Sequence, residues 1–251
     1  MSEEGRLAGG NVSGEVVRVG STVRKPWTQA SPSVHAFMDA LRARDVDVPA
    51  PLGRDAQGRQ VIEFVPGRLA IDVGRLTVDE LRRVGAIVRV IHDASADFVP
   101  NADAIWETAI PAPGAELVCH NDLAPWNLIV GERWVFIDWD AAAPSTRLWD
   151  LAYAAQAFTL SNVDRSAEDA ALDLAAFVDG YDAEPILREA LPATMHRRTA
   201  AMFELLRSAH QAGREPWASM FDNGDGTHWA AATEYVATYQ AQWAIALGAP
   251  H

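Results

Sequence analysis

The chain has a single cysteine, Cys119, and a single lysine, Lys25, among its 251 residues. One cysteine excludes an internal disulfide and any zinc site that is built on several thiolates. The sequence also lacks a run of about 18 apolar residues that could span a bilayer. The first ten residues, MSEEGRLAGG, lack the apolar core of a signal peptide. We therefore expect a cytoplasmic protein with no membrane partner.

Basic residues are scarce: 21 Lys and Arg stand against 34 Asp and Glu, for a net charge of −13. This balance disfavours nucleic acid as a partner, because phosphate backbones require a basic surface. The segment 150–251 carries 14 acids and 6 arginines, a net charge of −8. Such an acidic half either keeps the protein soluble or lines a cleft that attracts cationic small molecules.

The N-terminal third has the pattern of a small β-rich lobe. The β-branched segment 14–27 predicts a hairpin with a turn at Gly20. The segment 31–44 predicts a helix with Ser31 as its N-cap, and 59–67 predicts a strand that stops at a Pro-Gly pair.

The remainder has the pattern of a larger, mostly helical lobe. In the segment 77–94, Thr77 followed by Glu80 predicts a capping box at the start of an amphipathic helix. The segment 149–251 is rich in Ala and Leu, and we expect its helices to break at Gly180, Pro185, Pro192 and the turn DNGDG (222–226).

Residues 120–127 read HNDLAPWN, and a short hairpin separates them from the sequence IDWD. We predict its strands at 128–130 and 134–137, so the chain returns to its starting point. Asn127 and Asp138 should then lie side by side, about 5 Å apart as cross-strand neighbours do. An amide and a carboxylate form the hard-oxygen site that magnesium prefers, with phosphate oxygens and water completing the shell.

Asp122 lies five residues before Asn127, across an irregular loop that can turn its carboxylate toward the same place. With His120 bracing the loop, Asp122 could accept a proton from an incoming hydroxyl. The spacing therefore predicts a general base and two metal ligands at one site.

The pattern His-x-Asp-x-x-x-x-Asn, with its hairpin and Ile-Asp-Trp, resembles the catalytic and metal-binding segments of protein kinases. It is more similar to the aminoglycoside phosphotransferase family of bacterial small-molecule kinases. The segments GGNVSGEVVRVG, VRKP, EFVPG, CHNDLAPWNLIV, IDWD and LWDLAYA occur in that family's order. The resemblance implies an α+β, two-lobed, protein-kinase-like fold. A nucleotide-binding lobe would occupy residues 1–66, and a catalytic and substrate-binding helical lobe 67–251.

The same resemblance implies a role for each motif residue. Asp122 corresponds to the catalytic base, with His120 beside it, and Asn127 and Asp138 correspond to Mg²⁺ ligands. The nucleotide, ATP or alternatively GTP, would lie between the lobes. Its expected contacts are Lys25, Gly10, Ser13, Gly14, Glu63 and Val65. The last two belong to a linker whose backbone would face the adenine. Because Lys25 is the only lysine, a phosphate contact is favoured over an ordinary surface position.

The chain departs from the kinase pattern on the helix after Lys25, where kinases carry a glutamate that pairs with the lysine. His35 and Asp39 share a face there, and either could orient Lys25, or the pairing is absent. Asp140 shares a strand face with Asp138 and is either a solvated carboxylate or a ligand of a second Mg²⁺.

Three residues near the motif have mainly structural interpretations. Asp150 is expected to cap a helix or to support the catalytic loop. His92 is expected to cap the helix that it ends, and Cys119 to be an inert core residue.

The resulting hypothesis is transfer of the γ-phosphate of ATP or GTP to a hydroxyl of a small cationic molecule, such as an aminoglycoside or a basic peptide antibiotic. One alternative is a kinase of a choline-like amino alcohol. Another is a nucleotide-binding or toxin-immunity protein of the same fold without catalysis. A third is a hydrolytic metal centre whose ligands are His120, Asp122 and Asp138.

Overall fold

A computed structural model of the chain describes residues 4–6 and 16–248. The predicted phosphate contacts at Gly10, Ser13 and Gly14 lie outside the described residues.

The N-terminal part forms an antiparallel sheet with the strand order β1-β2-β3-β5-β4. The predicted hairpin is confirmed where the structure describes it, and Gly20 supplies the positive φ of 62° that its turn requires. The register places Lys25 of β3 opposite Gln60 of β5. The strands are β1 (Glu4–Arg6), β2 (Val17–Val19), β3 (Thr22–Lys25), β4 (Pro51–Arg54) and β5 (Gln60–Glu63).

Helix α1 (Ser31–Arg42) follows β3 and buries Phe37 and other apolar residues in the main core. The prediction that Ser31 is its N-cap is wrong, because Ala30 holds that position. The Ser31 hydroxyl accepts a hydrogen bond from the Thr28 backbone N–H at 2.9 Å and so stabilises the preceding turn.

The linker crosses from β5 to a second, three-stranded antiparallel sheet with the order β6-β8-β9. Strands β7 and β10 pair in a third, two-stranded antiparallel sheet. The lobe boundary predicted at residue 66 stays a prediction, and that residue lies in the linker. These elements are β6 (Arg68–Leu69), α2 (Ala70–Val73), α3 (Val78–Ser95), β7 (Leu117–Cys119), β8 (Leu128–Val130), β9 (Trp134–Phe136) and β10 (Ala143–Ser145).

Helix α3 begins with the predicted capping box. The Thr77 side chain accepts from the Glu80 N–H, and the Glu80 carboxylate accepts from the Thr77 N–H. Satisfying two backbone donors in this way stabilises the first turn of the helix.

Helices make up the rest of the chain, as predicted. Of the expected breaks, α5 ends at Tyr181, one residue after Gly180, and Gly224 of the turn DNGDG has a non-helical φ of 114°, so the wrong prediction is the break at Pro192. Pro185 does begin α6, whereas Pro192 lies inside that helix. Pro192 is buried with Leu191 and Met195, and this packing compensates for the lost backbone hydrogen bond. The elements are α4 (Arg147–Thr159), α5 (Ala167–Tyr181), α6 (Pro185–Ala212), α7 (Trp217–Met220), a π-helical turn (Phe221–Asp225), α8 (Gly226–Thr238) and α9 (Gln240–Ala246).

Gly180, the next-to-last residue of α5, allows the backbones of α5 and α3 to approach closely. A Cβ atom added to Gly180 would lie 2.0 Å from the backbone carbonyl oxygen of Arg82 in α3. A Cβ atom added to Gly85 of α3 would lie 2.1 Å from the backbone carbonyl oxygen of Phe177 in α5. Only glycine permits this approach. The contact holds the N-terminal half of α3 against the C-terminal end of α5.

Within residues 4–6 and 16–248, no helix has the length and apolar content needed to cross a bilayer.

Candidate active site

The β8–β9 hairpin brings Asn127 and Asp138 together, close to the predicted arrangement. The Ile137 N–H donates to the Asn127 carbonyl at 2.8 Å, so Ile137 lies opposite Asn127 and Asp138 one residue beyond. Asp138 has a left-handed backbone conformation (φ 60°, ψ 62°) that ends the strand and starts a 3₁₀ turn at Trp139–Ala141. A left-handed aspartate is uncommon, and such residues concentrate at functional sites.

His120 connects the two segments of the motif. Its Nε2 lies 3.0 Å from the Ile137 carbonyl oxygen, and its Nδ1 accepts from the Asp122 N–H at 3.2 Å. A ring with its hydrogen on Nε2 satisfies both contacts. The ring is fully buried, 4.5 Å from that of Trp139. His120 therefore positions the loop, and with both nitrogens engaged it is not available as the ligand that a hydrolytic metal centre would need.

Both oxygens of the Asp122 carboxylate accept hydrogen bonds. Oδ2 accepts from the Asn127 amide at 2.8 Å, and Oδ1 accepts from the Tyr153 hydroxyl at 2.9 Å. Burial raises the pKa of Asp122, and the nearby charge of Asp138 adds to this, while His120 and the two hydrogen bonds oppose it. Tyr153 is absent from the sequence prediction. Its only signal is its position on α4, three residues after Asp150.

Asn127 and Asp138 form a donor set that suits magnesium. The Asn127 amide nitrogen donates to the Asp122 backbone carbonyl and to its carboxylate, so Oδ1 is the atom left to face a cation. With the Asp138 carboxylate it offers the oxygen ligands that Mg²⁺ binds.

Lys25 reaches this centre from the small sheet. Its Nζ lies 2.7 Å from Asp138 Oδ1 and 2.8 Å from Asp140 Oδ2. Its side chain is buried, and burial alone would lower its pKa, but the carboxylates of Asp138 and Asp140 raise the pKa above the ordinary value. Neither candidate on α1 pairs with Lys25, because His35 bonds to Gln60 and Asp39 is exposed. Asp140 is an ion-pair partner rather than a merely solvated carboxylate.

The linker residues differ in their contacts. The Glu63 N–H donates to the Ala50 carbonyl and the Phe64 N–H to the Ser21 carbonyl, both at 2.9 Å. The Glu63 carboxylate pairs with Arg133 of the β8–β9 turn. Glu63 is thus a structural link between the lobes. In the described chain no backbone hydrogen bond of the Val65 N–H is present. Nucleotide binding at Glu63 and Val65 stays a prediction.

Asp150 supports the catalytic loop, which is one of its two predicted roles. Its Oδ1 accepts from the Asn121 N–H at 2.8 Å, and its Oδ2 lies 3.0 Å from His92 Nε2. Thr146, rather than Asp150, is the N-cap of α4. The prediction that His92 caps its helix is wrong, because its ring turns inward and bonds to the Tyr181 hydroxyl at 2.9 Å.

Cys119 lies next to this network and is buried. Burial raises the pKa of its thiol well above the ordinary value, so the thiol is unreactive, in agreement with the predicted inert role.

We predict that Asp150→Ala destabilises the protein by about 3 kcal/mol, because the Asn121 N–H and the His92 ring would lose a buried partner. Urea unfolding measures the loss. Asp97→Ala is the control, since its side chain is 79% exposed and 3.8 Å from Arg44. It should change stability by less than about 0.5 kcal/mol. Equal effects in the two variants would contradict the supporting role of Asp150.

Comparison with known proteins agrees with this geometry. Residues 97–192, which include the catalytic loop, the hairpin and Asp138, match the model of the phosphotransferase enzyme family. The chain is 27% identical over 161 residues to the trifolitoxin immunity protein of Rhizobium leguminosarum bv. trifolii, and the match spans 61% of each.

Two solved structures share the fold over almost the whole chain. One is an amicoumacin kinase in complex with AMP-PNP, Ca²⁺ and Ami, with a TM-score of 0.69 and 13% identity over 95% of this chain and 88% of that one. The other is a microcompartment-associated aminopropanol kinase, with a TM-score of 0.66 and 16% identity over 98% of this chain and 94% of that one. The resemblance to phosphotransferases is thereby confirmed for residues 97–192, and the chain shares the two-lobed, protein-kinase-like fold of the two solved kinases.

Proposed function

We propose that the chain transfers the γ-phosphate of ATP, bound with Mg²⁺, to a hydroxyl of a small cationic molecule. The observation that carries this proposal is that the side chains assigned to proton transfer, metal binding and phosphate binding contact one another. The Asp122 carboxylate contacts Asn127 at 2.8 Å, and Lys25 contacts Asp138 at 2.7 Å. A base, a pair of metal-binding oxygens and a cation for phosphate thus meet between the two lobes.

In-line phosphoryl transfer requires positioning and charge neutralisation more than covalent catalysis. Asp122 orients the acceptor hydroxyl and takes its proton, and its raised pKa strengthens it as a base. The Lys25 ammonium compensates charge on the nucleotide phosphates. Bound Mg²⁺ would neutralise further phosphate charge, held by Asn127 and Asp138. The adenine is assigned to the linker at Val65, with GTP as the alternative nucleotide.

The acceptor is assigned to the side of Asp122 that faces away from Asn127. An aromatic cluster lies there: the Trp126 and Tyr153 rings are 6.5 Å apart, and Trp229 stacks on Tyr153 at 6.2 Å. Tyr153 and Trp229 are buried, and the Arg198 guanidinium lies over the Tyr153 ring at 4.1 Å, so the half-buried Trp126 is the member of this cluster with exposed surface. An aromatic face attracts cations, and the acidity of the segment 150–251 favours the same ligands. An aminoglycoside or a basic peptide antibiotic fits this description. A choline-like amino alcohol is the second acceptor class, and the fold is shared with a kinase of an amino alcohol.

A second candidate function is immunity to a toxin by sequestration, without phosphate transfer. The observation that favours it is the match to an immunity protein. The intact set of Asp122, Asn127 and Asp138 supports catalysis instead. A cytoplasmic location, where ATP and magnesium are available, forms part of the main proposal.

The experiment is incubation of the protein with Mg-ATP and a panel of polyamine antibiotics and amino alcohols, followed by phosphorus NMR. We expect a phosphorylated acceptor, and a turnover lower by roughly a hundredfold to ten-thousandfold in Asp122→Asn, the range attributed to a general base. ATP binding should remain within a few-fold of wild type, because Asp122 serves the acceptor. The exposed Asp97→Asn is the control and should leave turnover unchanged.

Three other results would contradict the proposal. Unchanged transfer in Asp122→Asn would remove the assigned base. Nucleotide binding without transfer to any acceptor, together with tight binding of a basic peptide toxin, would favour sequestration. Tight binding of zinc or manganese without nucleotide affinity would favour a hydrolytic metal centre.

The acid side of the pH–rate profile tests the environment of Asp122. Because Asp122 must be ionised to accept a proton, kcat/KM should fall as the pH decreases through its pKa. Tyr153→Phe removes a hydrogen bond that stabilises the ionised carboxylate, so the pKa rises and the acid limb should move to higher pH. Tyr235→Phe is the control, since that hydroxyl donates to the Arg165 carbonyl instead. If the acid limb of kcat/KM in Tyr153→Phe lay at the same pH as in the wild type, or at a lower pH, this account would be contradicted.

A further inference from the structure

The Lys25 ammonium is buried, and its counter-ions come from the opposite lobe. Its side chain is 6% exposed, and a buried charge without a partner would cost several kcal/mol. Helix α1 offers no carboxylate to it, since the buried His35 of that helix bonds to Gln60 and Asp39 is exposed. The ion pair therefore depends on Asp138 and Asp140.

These two carboxylates differ in what else they must do. Asp138 is the proposed metal ligand, so metal binding draws its charge away from Lys25. Asp140 lies 2.8 Å from the ammonium and is the carboxylate that remains as its counter-ion.

A buried side-chain relay fixes the Asp140 carboxylate. The Gln60 amide nitrogen donates to Asp140 Oδ1 at 3.3 Å and to the Pro26 carbonyl at 2.9 Å. Since both of these partners are acceptors, the amide orientation is set, and Gln60 Oε1 faces His35 Nε2 at 3.1 Å. The β3–β5 register places Gln60 directly opposite Lys25, so the sheet itself aligns the relay.

We infer that Asp140 is the positioning residue of Lys25. It holds the ammonium toward the nucleotide phosphates, in the place of an acid on α1, and Gln60 and His35 hold Asp140. This inference rests on the proposed function, because it requires that Lys25 contacts a nucleotide. It differs from a role of Asp140 as a ligand of a second Mg²⁺, which would act only when the metal is present.

The experiment measures the Kd of ATP by calorimetry, once with Mg²⁺ and once with EDTA, for wild type and three variants. Asp140→Asn keeps the size of the side chain and removes its charge. We expect its Kd for ATP to rise about tenfold with Mg²⁺ and with EDTA, which corresponds to a loss of roughly 1.4 kcal/mol of binding free energy. Asp140→Glu should restore part of the affinity. Asp39→Asn, the matched control on α1, should bind ATP as wild type does.

Gln60→Met is a further variant that tests the relay while both carboxylates are kept. It should weaken ATP binding by about threefold in Mg²⁺ and in EDTA, because the Asp140 carboxylate loses its fixed orientation. Thermal unfolding of each variant confirms that it is folded. Should Asp140→Asn fail to fold, the Gln60→Met result decides the inference alone.

The outcomes separate this inference from the proposed function. Weakening that is seen with Mg²⁺ and disappears in EDTA would overturn the positioning role in favour of a metal ligand. Wild-type affinity in both Asp140→Asn and Gln60→Met, with transfer still abolished in Asp122→Asn, would overturn the positioning role and leave the kinase intact. Absence of ATP binding in the wild-type protein would overturn both.

Discussion

The two hydrogen bonds of the buried His120 ring fix the relation between the catalytic loop and the segment that follows the hairpin. One bond holds the Asp122 backbone, and the other holds the Ile137 carbonyl, one residue before Asp138. The β8–β9 hairpin joins the same two segments a second time, because the Ile137 N–H donates a hydrogen bond to the Asn127 carbonyl. The loop and the end of the hairpin are therefore held together, and with them the proposed base, Asp122, and the proposed metal ligands, Asn127 and Asp138.

Ion pairs connect the loop and the hairpin to the N-terminal part of the chain. Lys25 pairs with Asp138 and Asp140 at one point, and Arg133 of the hairpin turn pairs with Asp47 and Glu63 at another. The first contact involves the buried Lys25 and belongs to the proposed site, whereas the second is more exposed and adds less to stability. The nucleotide would enter between them, so its phosphates would meet a cation that Asp140 already holds in place.

Much of the site could be predicted because it is local in the sequence. Asn127 and Asp138 are eleven residues apart, and a short hairpin leaves little freedom in where they meet. The partner of Lys25 could not be predicted, since the contact with Asp138 spans 113 residues and depends on how the lobes pack. His92 shows the same limit. Its position near a helix end predicts a cap, but the ring is buried and bonds to Tyr181, a residue 89 positions away in the sequence. Local propensity also failed at Pro192, where burial in α6 outweighs the missing hydrogen bond.

The central claim is that Asn127 and Asp138 hold one divalent ion beside a nucleotide. A crystal grown with Mn²⁺ and a non-hydrolysable ATP analogue, measured at the manganese absorption edge, tests it directly. The account predicts an anomalous peak within about 2.5 Å of an oxygen of each residue, with the terminal phosphate directed toward Asp122. A metal bound elsewhere, or a nucleotide that leaves both side chains without an ion, would contradict it.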